Sequence, residues 1–113
     1  MSVKLLRSLY VLALPFAFAS NSAFGACASL SALDSTYAQN FDSLSNAGKS
    51  STLPTGWALA ESGSSANNDG LYGVDDGTAT GGDTYSYGAA GSTERAFGTL
   101  QSGTLIPTIG ACF

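Results

Sequence analysis

The sequence predicts an all-β protein, an antiparallel β-sandwich of the jelly-roll type that is preceded by a signal peptide. Short segments of alternating polarity recur after residue 56, separated by turns rich in Gly, Ser and Asp. No long segment with helical periodicity follows residue 25. The first 25 residues have the layout of an export signal. We therefore expect one exported β domain.

The amino-terminal segment predicts export. Two basic residues precede an apolar run of eleven residues, Leu9–Ala19, which is shorter than the roughly 20 residues of a membrane span. Cleavage after Gly25 satisfies the small-residue rule, and cleavage after Ala19 is an alternative. A third interpretation is a lipoprotein that is lipidated on Cys27. The predicted location is secreted or cell-surface, with membrane contact only through the signal or a lipidated Cys27.

The charge balance argues against nucleic acid as a partner. Residues 26–113 keep all eight acidic residues but only Lys49 and Arg95, which gives a formal charge of −6. Binding to a phosphate backbone needs a basic surface. An acidic exported chain is instead compatible with solubility outside the cell or with Ca²⁺.

Large aliphatic and Phe side chains are scarce after the signal. Leu, Ile, Val and Phe number 14 of the 88 residues 26–113, and Gly, Ser and Thr number 36. Such a chain has little apolar surface with which to offset conformational entropy. The sequence also stops within an apolar run. We expect a domain that is incomplete at its carboxyl end, and a non-functional remnant is one alternative.

The chain divides into a signal peptide (1–25), a polar leader (26–35) and a partial β-sandwich module (36–113). Turn residues bound each predicted strand, and Pro107 predicts that the last one is an edge strand or begins near this residue. The predicted strands are 36–44, 57–62, 71–75, 84–87, 95–100 and 105–113.

Four aromatic residues could form a platform for sugar rings, as exposed aromatics do in carbohydrate-binding sandwiches. In a chain so poor in aliphatic residues, their packing into the core is the favoured interpretation. These residues are Trp57, Tyr72, Tyr85 and Tyr87. Phe97 is predicted to belong to the same structural set.

The sequence contains no His, which excludes Ser-His-Asp and Cys-His catalysis and zinc sites with His ligands. A pair of carboxylates could hydrolyse a glycosidic bond, but the spacing of Glu61 and Glu94 favours no such pair. We therefore predict that the chain is not an enzyme.

Glu94 and Arg95 are adjacent, so on a strand they would point to opposite faces. We expect both to be structural, with Arg95 in an ion pair with Glu61 or an Asp across the sheet.

Four Asp residues lie in Gly-rich segments, where Ca²⁺ could take oxygen ligands. They fit no EF-hand spacing, so Asp-Gly turns are the simpler interpretation, and no other cofactor is expected. The candidates are Asp69, Asp75, Asp76 and Asp83.

Two cysteines, Cys27 and Cys112, leave two alternatives open. Export permits a disulfide, which would close a loop of about 85 residues and contribute about 4 kcal/mol in the entropic model. The other interpretation is two unrelated thiols.

Several short motifs together resemble a β-sandwich module of bacterial exported proteins. They are Phe41-Asp42, Leu53-Pro54 with Gly56-Trp57, Gly82-Asp83-Thr84-Tyr85, Glu94-Arg95-Ala96-Phe97-Gly98 and Ile109-Gly110. In that group the module accompanies PEP-CTERM sorting segments, lamin-tail-like domains, or extracellular nuclease and phosphatase domains. The resemblance covers residues 41–113 and implies no catalytic residues. Members extend further at the carboxyl end, and Cys112 is atypical among them.

Two functions are compatible with these observations. The first is a non-catalytic exported module for adhesion, spacing or ligand binding, with carbohydrate or another cell-surface component as partner. The second is the amino-terminal accessory part of an extracellular hydrolase of nuclease or phosphatase type, whose catalytic domain lies beyond residue 113.

Overall fold

The computed structural model describes residues 26–113, which form two β-sheets with no helix. The predicted signal peptide, 1–25, lies outside the described residues. Within 26–113, no helix has the length and apolar character needed to cross a membrane. The strands are β1 (Trp57–Gly63), β2 (Tyr72–Asp75), β3 (Asp83–Tyr87), β4 (Ala96–Leu100) and β5 (Leu105–Ala111).

The five strands divide into a two-stranded and a three-stranded sheet. β1 pairs antiparallel with β5, from Trp57 opposite Ala111 to Gly63 opposite Leu105. The second sheet has the order β2-β3-β4, and β5 contacts both β3 and β4. The prediction of an all-β chain and of its five strands after residue 56 is therefore confirmed, with bounds shifted by one or two residues.

The prediction of a purely antiparallel arrangement is wrong for one pair, because β2 runs parallel to β3. Parallel neighbours need a connection that returns along the sheet. Residues 76–82 make this return, and Asp75 begins it by accepting hydrogen bonds from the N–H groups of Gly77 (2.6 Å) and Ala79 (3.0 Å). The Tyr85 hydroxyl also donates to the Gly81 carbonyl at 2.9 Å, which holds the connection beside β3.

The predicted strand over 36–44 is also wrong, because this segment is irregular. Phe41 adopts a φ of 62°, and its carbonyl accepts a turn hydrogen bond from the Leu44 N–H at 2.9 Å. The Phe41 ring packs edge-on against Trp57, with 4.7 Å between centroids, and lies 5.8 Å from Phe97. Contact with the aromatic core, rather than pairing in a sheet, therefore places this segment.

The core combines aromatic rings with buried polar groups. Tyr72, Leu105, Thr84 and Ser86 are fully buried. The Tyr72 hydroxyl accepts a hydrogen bond from Ser45 N–H and donates one to the Thr52 carbonyl, both at 3.0 Å. A buried hydroxyl needs such partners to offset its loss of water.

A disulfide joins the leader to the end of β5. Cys27 and Cys112 are bonded, with 4.8 Å between their Cα atoms and a separation of 85 positions in sequence. The Ala28 N–H donates to the Cys112 carbonyl at 2.9 Å, and the Cys112 N–H donates to the Gly56 carbonyl at 2.8 Å. The leader thus continues the hydrogen bonding at this end of the two-stranded sheet.

Among the strands of residues 26–113, β5 pairs with β1 alone, apart from a bridge between Leu105 and Ser102, so Pro107 lies on an edge strand. Along an antiparallel ladder, residue pairs that are hydrogen-bonded alternate with pairs that are not. Because Cys112 is hydrogen-bonded to Gly56, Pro107 belongs to a pair that is not, and its nitrogen points away from β1. A residue without an N–H is tolerated at such a position.

Candidate functional site

A groove without charged side chains runs along the open edge of β1. Its volume is about 440 Å³, and none of the ten residues that line it has a charged side chain. Its walls come from the 51–56 segment, from the start of β1, from Ala26 and from Gly70. They include Ser51, Leu53, Pro54, Thr55, Trp57 and Leu59.

The backbone of β1 contributes polar groups to this edge. Gly56 is hydrogen-bonded to Cys112, and bonded residues alternate with non-bonded ones along β1. The N–H and C=O of Leu59 therefore point away from β5. The Trp57 N–H points the same way and is used by the Pro54 carbonyl at 3.0 Å. The groove therefore offers hydroxyls, a strand edge and an indole ring, which suit a neutral ligand bearing hydrogen-bonding groups.

The Trp57 ring is held by three neighbours. Its Nε1–H donates to the Tyr37 hydroxyl at 3.0 Å, and Phe41 and Phe97 pack against it edge-on. The ring is half-buried, so it belongs to the core and also forms part of the groove wall. Sequence reasoning separated these two roles, whereas the structure combines them.

A second site, which we call the Lys49 cluster, consists of Lys49, Glu61, Asp69 and Asp83. The Lys49 Nζ lies 2.6 Å from Asp69 Oδ2 and 3.4 Å from Asp83 Oδ2. Asn67 Oδ1 lies 3.4 Å from the same ammonium. Sequence reasoning did not single out Lys49, because its partners lie 20 and 34 positions further along the chain.

Glu61 connects the cluster to the loop 64–71. One oxygen accepts hydrogen bonds from the N–H groups of Asp69 (3.3 Å) and Gly70 (3.0 Å). The other accepts the hydroxyl of Thr84 at 2.8 Å. Because Gly70 also lines the groove, the Lys49 cluster fixes one of the groove walls.

The environments of the two Asp carboxyls push their pKa values in opposite directions. Asp83 is 3% exposed, and desolvation raises its pKa, although Thr84 N–H and Lys49 oppose this. Desolvation also acts against ionised Asp69, but hydrogen bonds from Lys49 and the Leu71 N–H together lower its pKa. The bond to Asp69 is likewise the main reason why the pKa of Lys49 is raised.

The four Asp candidates for Ca²⁺ do not converge on one point. Asp69 and Asp83 meet at Lys49, whereas Asp75 and Asp76 form the turn after β2. Asp76 accepts hydrogen bonds from the hydroxyl and N–H of Thr78, which lower its pKa. Over residues 26–113, no group of three or more His, Cys, Asp or Glu is arranged to hold a metal ion.

Arg95 differs from its predicted role in one respect. Its side chain is buried, but no carboxylate of the described residues lies within salt-bridge distance of it. Its Nε donates to the Ser86 hydroxyl at 2.9 Å. The carbonyls of Ser86, Ala89 and Asp75 accept its remaining bonds. The predicted ion pair is thus replaced by neutral oxygens, while the neighbouring Glu94 is exposed.

Tyr85 and Tyr87 lie on the face of β3 opposite Thr84 and Ser86. Their ring centroids are 5.3 Å apart, and Tyr85 is only 8% exposed. Desolvation raises the pKa of both phenols, and Asp83 adds to the effect at Tyr85. The Tyr85 ring is therefore packed rather than presented as a flat platform.

Comparisons of the chain with protein-family models, curated proteins and solved structures found no match.

Proposed function

We propose that the chain is a non-catalytic, exported β-sandwich module that binds a neutral saccharide in the groove beside Trp57. The observation that carries the proposal is the groove itself. It combines half-buried Trp57, two hydroxyl side chains and a strand edge, with no charged side chain in its lining. Saccharides are bound by stacking on aromatic rings and by hydrogen bonds to such groups.

Two further features support an exported module. The Cys27–Cys112 disulfide fits an oxidising compartment outside the cytoplasm. The contact of β5 with β3 and β4 fits sheets that pack face to face as a sandwich of the jelly-roll type. The carboxylates of the Lys49 cluster are bonded to Lys49, Thr84 and backbone N–H groups, which favours structural over catalytic use.

The binding test uses tryptophan fluorescence, because Trp57 is the single Trp of the chain. Soluble oligosaccharides of β-glucan, xylan and chitin are titrated into the disulfide-bonded protein. A saturable change in Trp57 emission with one of them is the expected result.

A pair of matched variants locates the binding. Ser51→Glu places a charge in the groove, whereas Ser43→Glu places one on an exposed residue outside it. The first change should reduce binding at least tenfold, and the second should leave it unchanged. Equal affinities of the two variants, or no response to any saccharide, would contradict the proposal.

Export has its own test. A carboxyl-terminally tagged chain is expressed in a bacterium, and cell fractions are probed for the tag and for free thiols. The expected result is a disulfide-bonded protein outside the cytoplasm whose mass is lower than that of the full chain. A full-length, reduced protein in the cytoplasm would overturn the export proposal while leaving the saccharide test valid.

A further inference from the structure

Asp83 is a buried acid at the junction of three chain segments. Its carboxylate is 3% exposed, accepts the Thr84 N–H at 2.9 Å, and contacts Lys49 at 3.4 Å. Lys49 belongs to the 45–56 segment and also binds Asp69 in the loop 64–71. A single ammonium therefore links β3 to two loops.

The electrostatics of this junction are unbalanced. The Lys49 cluster contains one ammonium and three carboxylates. Asp69 and Asp83 lie within 4 Å of the Lys49 ammonium, and Glu61 is the third carboxylate. Glu61 raises the pKa of Asp83 further through its negative charge. Buried carboxylates that share too little positive charge take up a proton more readily than free ones. The charged and titratable groups that face Asp83 are Lys49, Glu61, Asp69, Tyr85 and Tyr87.

We propose that protonation of Asp83 controls how firmly the loop 64–71 is held to β3. When Asp83 is ionised, it holds Lys49 against β3, and Lys49 in turn holds Asp69. When Asp83 is protonated, Lys49 keeps Asp69 but loses its attraction to β3. The loop then loses this link to β3 and keeps its bonds to Glu61 and to the Gly82 carbonyl, so Gly70, which lines the groove, is held less firmly.

The sign of the effect on stability follows from the direction of the shift. The pKa of Asp83 is higher in the folded than in the unfolded chain, so the folded state binds this proton more tightly. Its contribution to stability is fully present below the unfolded pKa and is lost as the pH rises through the folded pKa. At Asp83 alone, mild acid therefore favours the folded state while it weakens the attachment of the loop.

The test is a pH titration by NMR of the isotopically labelled, disulfide-bonded protein. The Asp83 carboxyl carbon should titrate at a higher pH than in an unstructured peptide containing Gly82–Tyr85. The Lys49 ε-methylene and the Gly70 amide should shift with the same midpoint. A midpoint at or below that of the peptide, or no step at Lys49 and Gly70, would overturn the proposal.

Two variants separate coupling from general acid effects. Asp83→Asn imitates the protonated form, so the shared step at Lys49 and Gly70 should disappear. The protection factor of the Gly70 amide, which corrects for the intrinsic pH dependence of exchange, should then be as low at neutral pH as in the acidified wild type. Asp34→Asn removes an equal charge from an exposed residue and should keep the step. A step that persists in Asp83→Asn would assign it to another group and overturn the proposal. None of these signals depends on a saccharide.

Discussion

Arg95 and Ser86 form a buried hydrogen bond, with 2.9 Å between Nε and the hydroxyl oxygen, in which the cation has no carboxylate partner among residues 26–113. The positive charge is compensated by carbonyl oxygens of the β3–β4 hairpin and of Asp75. A buried charge without such partners would be very costly. This arrangement fixes the hairpin loop 88–95 against the end of β2.

Replacing Arg95 should therefore destabilise the fold. Arg95→Met leaves the Ser86 hydroxyl and several carbonyls without a donor, and we expect a loss of about 2–4 kcal/mol in the free energy of unfolding. Urea denaturation measures it. Glu94→Gln, at the exposed neighbouring position, should change the stability by no more than about 0.5 kcal/mol. Similar losses in both variants would refute a specific role for Arg95.

Breaking the disulfide should have an effect of similar size. The loop between Cys27 and Cys112 is long, so its closure restricts the unfolded chain strongly, and removal should cost about 2–5 kcal/mol. Cys27→Ser, Cys112→Ser and the double variant should melt at the same lowered temperature. A reductant should bring the wild type to that temperature and leave the variants unchanged. Unequal melting of the two single variants would argue against a shared bond.

Gly56 should tolerate no side chain. Its φ is 84°, and an added Cβ would lie 2.8 Å from both the Ala28 nitrogen and the Cys112 oxygen. Gly56→Ala should cost about 2–4 kcal/mol, because it combines backbone strain with a clash. Gly91 has a comparable φ of 73° but open space around it. Gly91→Ala therefore measures backbone strain without a clash, and we expect it to lower the free energy of unfolding by about 1 kcal/mol. Equal losses in thermal melting would refute the close approach at Gly56.

Removing the cation of the Lys49 cluster should produce a stability that depends on pH. In Lys49→Met, the buried Asp83 carboxylate loses its counter-charge, and we expect a loss of about 1–3 kcal/mol at pH 7. The folded pKa of Asp69 is depressed, so its contribution exists above the unfolded pKa and is lost as the pH falls through the folded pKa. The difference between wild type and variant should therefore shrink in acid.

The control for this variant is Lys49→Arg, which keeps the charge and should lose less stability at pH 7. Denaturant midpoints between pH 3 and pH 7 provide the comparison. A difference between wild type and Lys49→Met that is constant with pH would show that the loss comes from packing and not from charge.

Local sequence signals accounted for most of the strands. Flanking turn residues and short alternating segments located all five strands after residue 56, including β3, which is buried on both faces. The same signal failed over 36–44. There Tyr37 and Phe41 also alternate in sequence, but they reach the aromatic core from an irregular segment. Alternation reports where side chains are buried and not whether the backbone pairs.

The sequence by itself determined the all-β class and the positions of the five strands. Only the tertiary structure decided that β2 and β3 run parallel, that Cys27 meets Cys112, and which charges meet. Lys49 forms ion pairs with Asp69 and Asp83, which are distant from it in sequence. The Arg95 side chain donates hydrogen bonds to backbone carbonyls and not to a carboxylate of the described residues. The physical reason is that local patterns reflect burial along one segment. Electrostatic partners and strand directions depend instead on how distant segments pack together.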